Sequence, residues 1–305
     1  MIRLPYLWRT IEGGRYPIPF YFRFKYKIEC LLENAYIRRV ALPYFGLNTE
    51  KRSLPRIIVS LTTYPARNAA TYYAVKSLML QSVKADKIEL WLASSQYPKG
   101  IPTIFKPLID RGLTVKFCDD LRSHKKYFYV LQNQQSDEVV VTFDDDIIYE
   151  YDAIEKLIRA HQRFPDCMIC NRTQKIVLDD KGMAQYRKWR LYNDVKPNVP
   201  TIGLIPSTGA GCLYPYGVVT PNFFDWDTIK GNALTADDLW IGFNCIDSGL
   251  RIVKTVSHPA TLVNVRSSQN SSLTSVNDVG GENQRVIDRL LTVFPDIVSK
   301  IKNAN

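Results

Sequence analysis

The feature that most constrains this chain is Val139-Val-Val-Thr-Phe143 running straight into Asp144, Asp145 and Asp146. The run is apolar, β-branched and aromatic, and too short for a typical helix, so it reads as a fully buried strand. Three adjacent carboxylates repel one another, and a stable fold rarely leaves them at a strand end without a partner. In an extended segment residues i and i+2 share a side, so Asp144 and Asp146 can face one hard cation while Asp145 faces away. Mg²⁺ or Mn²⁺ takes oxygen ligands and keeps positions open for substrate phosphates. The same pattern also fits a solvated acidic turn capping a strand.

Strands and helices alternate around that stretch. Arg56–Thr63 reads as a strand, 64–67 as a turn and 68–82 as a helix, with Ala74, Val75, Leu78 and Met79 at helical spacing. Lys87–Ala93 and Leu113–Cys118 read as strands, 101–111 as a helix, and 119–134 as a second helical stretch leading into the central strand. Asp152-x-x-Glu155 resembles a capping box at the start of a helix over 152–164. Met168–Cys170 begins another strand, and the polar, basic 171–200 reads as a β-excursion or loops. A helix over 234–247, a last strand over 250–256, a flexible loop over 266–283 and two terminal helices complete the chain. This alternation predicts βαβ units and an α/β fold with a mainly parallel sheet. In such sheets the ligand edge is the C-terminal end of the strands.

The 305 residues, 46% of them hydrophobic, suffice for one large core or a core with an appendage. Six cysteines scattered among apolar neighbours read as buried thiols, and the lone Cys167-Met-Ile-Cys170 reads as strand rather than a zinc or redox motif. Residues 1–52 hold ten basic and four acidic residues, a net +6 of the chain's +10. We divide the chain into this basic aromatic N-terminal extension, 1–52, and a main domain, 53–305. Its segment 16–27 interleaves aromatic and basic side chains, which suits an anionic membrane surface or packing back on the main domain. A short helix over 28–40 would place Leu31, Leu32, Ala35 and Tyr36 on one face.

The positive charge points to phosphate-bearing partners, but no nucleic-acid motif accompanies it, so nucleic acid is not expected. No run of roughly 18 apolar residues offers a membrane span, and the N-terminus lacks a signal peptide's apolar region. The expected location is cytoplasmic, with residues 1–40 available to the inner face of the cytoplasmic membrane.

A nucleoside diphosphate is the ligand that suits an acidic metal site beside positive charge, because the metal offsets charge building on a leaving diphosphate. At the same sheet edge Thr62, Thr63 and Arg67 offer hydroxyls and a guanidinium. Lys125 and Lys126 offer phosphate contacts at a helix start, unless these cations are simply solvated. Asp237 and Asp238 are either acids favoured by a helix dipole or a general base for an acceptor hydroxyl. His258 is either a third metal ligand or a surface imidazole. The glycines of Ser207-Thr-Gly-Ala-Gly-Cys-Leu-Tyr-Pro215 allow close backbone approach.

These pieces, in this order, resemble the GT-A fold glycosyltransferases, especially family-2-like bacterial enzymes of capsule and lipopolysaccharide assembly. The matching stretches are Val59-Ser-Leu-Thr-Thr63 with Arg67, Ser123-His-Lys-Lys126, Phe143-Asp-Asp-Asp146, Gly209-Ala-Gly-Cys-Leu-Tyr-Pro215 and Ala236-Asp-Asp-Leu-Trp240. The resemblance implies a GT-A, Rossmann-like sheet and metal-dependent transfer of a sugar from a nucleotide-diphosphate sugar, and inversion is inferred from the placed acidic base alone. A UDP-sugar is the favoured donor, and the acceptor is a hydroxyl of a glycan or lipid-linked glycan.

Carried over by residue, Asp144 and Asp146 hold Mn²⁺ or Mg²⁺ and the diphosphate, with His258 completing the metal site. Asp145 touches ribose or sugar, and Thr62, Thr63, Arg67, Lys125 and Lys126 join it on the donor. Gly209, Ala210, Gly211 and Trp240 fall on the acceptor side. Asp238, with Asp237 close behind, is the base. The chain departs from the family in having Asp237 in place of Glu. It also lacks the Q-x-x-R-W motif of processive synthases, which implies single-sugar transfer.

Two other readings compete. A nucleotidyltransferase acting on a sugar phosphate usually carries a glycine-rich N-terminal loop, whereas the first strand here ends in Ser60-Leu-Thr-Thr-Tyr-Pro65, without glycine. A non-enzymatic binder of anionic membrane or nucleic acid would use the basic extension alone.

Overall fold

The computed structural model describes residues 20–51, 55–189, 195–255, 262–266 and 281–304, with side chains from residue 27 onward. In chain order the main elements are α1 (Phe20–Arg39), β1 (Arg56–Thr63), α2 (Asn68–Met79), β2 (Lys87–Ala93), β3 (Leu113–Cys118), α3 (Lys125–Gln132) and β4 (Glu138–Thr142). They continue with α4 (Ala153–Arg163), β5 (Met168–Cys170), β6 (Cys212–Tyr214), α5 (Asp237–Ser248), β7 (Ile252–Lys254), α6 (Glu282–Val293) and α7 (Ile297–Ala304).

The seven strands form one sheet in the order β7-β5-β6-β4-β1-β2-β3. β6 runs antiparallel to both its neighbours, and every other pairing is parallel. The chain lays down β1, β2 and β3 in one direction, then crosses back to set β4 on the other flank of β1. That reversal is a topological switch point, and open α/β sheets bind ligands in the crevice beyond it. β1 delivers Thr62 and Thr63 to this crevice, and β4 delivers Asp144 to Asp146.

Alternation along the strands divides the core between two faces. Ile57, Val59 and Leu61 of β1 join Val139 and Val141 of β4 and the adjoining Phe143 on one face, covered by Val75 and Leu78 of α2 and Ile154 and Leu157 of α4. Ile58 and Val140 point to the other face, covered by Tyr127 of α3, Trp240 and Phe243 of α5, and Ile287 of α6. The architecture is thus α/β, a mainly parallel sheet between helical layers, as the alternation of elements predicts.

The structure departs from expectation in several places. The helix expected over 101–111 shrinks to a 3₁₀ turn, Thr103–Phe105, and a single turn, Lys106–Ile109, between Pro102 and Gly112, whose φ is +104°. The capping box does not form: Asp152 pairs with Lys156 at 3.0 Å, and Glu155 accepts from the Ser82 hydroxyl at 2.8 Å. Within the 171–200 stretch, whose residues 190–194 lie outside the described ones, Thr173–Lys175 pairs with Leu204–Pro206 and Leu178–Asp179 with Gly182–Met183, a β-excursion as expected. Cys167, Cys170, Cys212 and Cys245 are buried free thiols, Cys30 and Cys118 are half-buried, and Cys170 lies within β5.

The N-terminal helix docks on the main domain. Ile37 packs with Ala70 of α2 and with Ile148, Val263 and Val265. The Asn34 amide donates to Asn264 O at 3.0 Å and accepts from Arg266 N–H at 2.9 Å. The face carrying Leu31, Leu32 and Tyr36 points outward, with these side chains 56%, 49% and 45% exposed. Among the described residues no helix is long and apolar enough to cross a membrane.

Candidate functional site

The triple aspartate turn is built from two directions. Asp145 turns inward, where Thr63 Oγ1 donates to it at 2.5 Å and an Arg67 NH1 donates at 3.3 Å. Arg67 also pairs with Asp146. Asp144 points the other way, to Lys126 Nζ at 2.7 Å, and keeps 41% of its side chain open. Asp144 and Asp146 therefore rest on different cations rather than sharing one side alone, because the chain bends after β4 instead of staying extended. Burial lifts the Asp145 carboxyl to about 7 against the opposing Arg67 charge and the Thr63 hydrogen bond. Burial and the neighbouring Asp144 also raise Asp146.

A second acid cluster stands across from it. Asp237 and Asp238 open α5, and Thr208 holds both: its N–H donates to Asp238 Oδ1 at 2.9 Å, and its hydroxyl lies 2.8 Å from Asp237 Oδ2 and 2.5 Å from Asp238 Oδ1. Burial and the adjacent Asp237 charge raise Asp238 to about 7. Asp237 is buried too, but Lys126 and His124 hold it well below the usual carboxylate range. The pair thus separates into a permanent anion and a carboxyl poised near neutrality, the pattern expected when two acids take different roles.

Lys126 joins the clusters. Its buried ammonium lies 2.7 Å from Asp144 and 2.9 Å from Asp237. Burial works against its charge, but the surrounding carboxylates win and keep it protonated. Lys125 is likewise committed, to Asp120 at 3.1 Å. His124 is structural: its ring nitrogens lie 2.8 Å from the Tyr127 hydroxyl and 3.0 Å from Ala233 O, tying α3 to the loop before Asp237.

The clusters line one cavity of about 670 Å³, together with Thr62, Thr63, Arg67, Lys125 and Lys126. All the residues assigned to the donor therefore meet in one place, although Arg67 and both lysines are already paired with acids and Thr62 spends its hydroxyl on Trp91 O at 2.8 Å. The residues assigned to the acceptor do not themselves line this cavity. Gly209 lies directly beneath Asp144, where an added Cβ would stand 1.7 Å from Oδ2. Gly211, at φ +106°, packs on Asn171 and Phe143, and Ala210 is buried. Trp240 is buried in the core with its indole N–H on Phe223 O at 3.0 Å. His258 lies outside the described residues.

Sequence reading missed Thr208, although it stands inside the glycine-rich stretch already singled out. It also missed Tyr149, whose hydroxyl accepts from Asp144 N–H at 2.7 Å and donates to Gly209 O at 2.6 Å. Spacing along the chain carries no sign of that contact.

Among the described residues no group of three or more acidic, histidine or cysteine side chains is placed to hold a metal ion. Asp144 and Asp146 nevertheless supply the donor chemistry a hard cation takes. Mg²⁺ is commonly bound through one or two carboxylates, with substrate phosphates and water completing the shell. The residues present fit a metal that arrives with a phosphorylated ligand.

No protein-family model matches the chain, and a search of curated proteins finds no match. Matches among solved structures include a mannosyltransferase from Pyrobaculum calidifontis in complex with GDP-Man and Mn²⁺. It is 13% identical over 92% of this chain and 79% of that one, with a TM-score of 0.48. A 4-diphosphocytidyl-2C-methyl-D-erythritol synthase from Anaerococcus prevotii is 12% identical over 76% and 97%, with a TM-score of 0.41. An inositol-1-phosphate CTP transferase from T. maritima is 9% identical over 67% and 86%, with a TM-score of 0.38. Nothing about this chain's activity follows from these likenesses.

Proposed function

We propose that the chain is a glycosyltransferase that moves one sugar from a nucleoside-diphosphate sugar to an acceptor hydroxyl. The observation that carries this reading is the division of labour in one cavity: a triple aspartate at the sheet's switch point faces a separate acid pair, one member of which is poised near neutrality. Asp144 and Asp146 would hold Mn²⁺ or Mg²⁺, which when bound offsets charge on the departing diphosphate. Ionised Asp238 takes the proton of the acceptor hydroxyl as its oxygen bonds to the anomeric carbon and the bond to the diphosphate breaks. A single displacement of this kind inverts the anomeric centre. Asp237, kept anionic by Lys126, fixes the ammonium that also orients Asp144.

UDP-sugars are the first donors to test, and a glycan or lipid-linked glycan of a surface polysaccharide is the proposed acceptor class. A lipid-linked acceptor suits the basic N-terminal segment, which we place at an anionic membrane surface.

The test is titration calorimetry of the full chain with nucleoside diphosphates, with and without Mn²⁺. Binding should be metal-dependent and should fall at least about tenfold in Asp144→Asn with Asp146→Asn, given the loss of both anionic ligands. Equal binding in wild type and double variant would remove the metal site. A product assay separates the competing reading, since a nucleotidyltransferase consumes a nucleoside triphosphate and releases pyrophosphate. Pyrophosphate release with a sugar phosphate would replace the glycosyl-transfer reading.

A further inference from the structure

Three of the cations lining the cavity are tied to carboxylates: Arg67 to Asp145 and Asp146, Lys125 to Asp120, and Lys126 to Asp144 and Asp237. An incoming diphosphate brings two or three negative charges, and on these side chains it would share each cation with an acid already paired to it. Arg122 differs. It lines the same cavity with an exposed side chain, and among the described residues its guanidinium makes no ion pair or hydrogen bond.

Its backbone is unusual as well. Arg122 sits at φ +53°, in the left-handed region that most residues with a Cβ adopt at a cost. Hydrogen bonds around Asp120 hold the turn. Arg122 N–H donates to Asp120 Oδ1 at 3.0 Å, and Lys125 Nζ reaches the same oxygen at 3.1 Å. Gln96 donates to Asp120 Oδ2 at 2.8 Å, and His124 N–H closes the turn on Leu121 O at 3.0 Å. The Arg122 charge acts on Asp120, and Lys125 pairs with the same carboxylate at 3.1 Å. Glycine or asparagine would take this conformation at lower cost.

We infer that Arg122 is the cation that grips a phosphate group of the donor, an inference that rests on the nucleoside-diphosphate reading above. A guanidinium offers a planar fork that matches two phosphate oxygens. Arg122 lines the cavity with its guanidinium outside any ion pair among the described residues, so binding need not break one.

The test uses Arg122→Gly and Arg122→Lys in the full chain, with UDP, GDP and the unphosphorylated nucleoside uridine as probes, in the presence of Mn²⁺. Arg122→Gly removes the guanidinium and relaxes the backbone together. It should weaken binding of the nucleoside diphosphate at least about tenfold, as expected for loss of a charge-assisted bidentate contact. It should also raise the melting temperature, by about 2 °C for a chain of this size. Arg122→Lys should fall between the two in affinity. Uridine binding, where measurable, should be unchanged.

A variant that is both more stable and a weaker diphosphate binder is what a merely structural arginine does not give. Wild-type affinity in Arg122→Gly overturns this inference alone, and so does equal weakening toward uridine and UDP. A lowered melting temperature in Arg122→Gly also overturns it, by marking Arg122 as part of the fold. If the wild type binds no nucleoside diphosphate, the donor reading falls and takes this inference with it.

Discussion

An ordinary carboxylate is fully ionised at neutral pH and a weak base. Burial beside the Asp237 charge lifts Asp238 to about 7, so its anionic form takes up a proton more readily near physiological pH. Transfer should therefore rise with pH through about 7 as Asp238 loses its proton. Asp238→Asn should reduce it by roughly 100- to 10,000-fold, the usual weight of a general base, with little change in donor affinity. Stability runs the other way. A carboxyl whose folded pKa is raised stabilises the fold while protonated, and loses that contribution as pH climbs through the folded value. Melting temperature should thus fall between pH 5 and pH 8. Asp238→Asn should flatten that decline, gaining about 1 kcal/mol at pH 8 because the site is partly open. Thr208→Val tests the same geometry. Without the hydroxyl, Asp238 loses a donor that favours its anion, so the activity limb should move to higher pH and stability should fall by about 1 kcal/mol. A pH profile identical to wild type would exclude Thr208 as the residue that sets Asp238. The sequence shows the two acids side by side but not their separate roles. Those roles come from Lys126 and Thr208, which lie far from them along the chain.

The segment between Ser207 and Cys212 separates what a glycine does for the fold from what it does for the site. Gly211 holds φ +106° against Phe143 and Asn171, so Gly211→Ala meets both backbone strain and a packed core. Thermal unfolding of that variant should show a loss of about 2 kcal/mol or more. Gly209 has no such strain, and its missing Cβ is the space that the Asp144 carboxylate fills. Gly209→Ala should leave the fold close to wild-type stability but push Asp144 off Lys126. Metal-dependent nucleotide binding should then drop while the melting temperature hardly moves. If instead Gly209→Ala unfolds the chain and Gly211→Ala only weakens binding, these roles are reversed. The long strands β1 to β4 are legible in the sequence because each is a continuous or alternating apolar run. β6 is three residues long, and its antiparallel direction comes from its partners β4 and β5, so no local pattern reveals it. The abortive helix near Lys106 shows the converse, since its apolar spacing is genuine but Pro102 and Gly112 bound it too closely.

Across the whole molecule, α1 faces two environments with one short stretch of sequence. Its inner face, through Ile37 and Asn34, clamps Val263 to Arg266, and within that segment Val263–Asn264 pairs with Ile147–Ile148 directly after the triple aspartate. Val265 N–H also donates to Asp146 O at 2.7 Å. The helix thus braces the back of the acidic turn. Its outer face carries Ile28, Leu31, Leu32 and Tyr36 at successive helical turns, and Arg38 and Arg39 close its end. An apolar stripe edged by cations suits the headgroup region of an anionic bilayer. The two faces should separate by mutation. Leu31→Glu with Leu32→Glu should abolish cosedimentation with vesicles rich in anionic lipid while leaving melting temperature and nucleotide binding unchanged. Ile37→Asp places an unpaired charge in a buried contact, so stability should fall by about 2–4 kcal/mol and nucleotide affinity with it. Unchanged vesicle binding in the Leu31/Leu32 variant would remove the membrane role of the outer face. Unchanged nucleotide binding in Ile37→Asp would show that the acidic turn stands without α1.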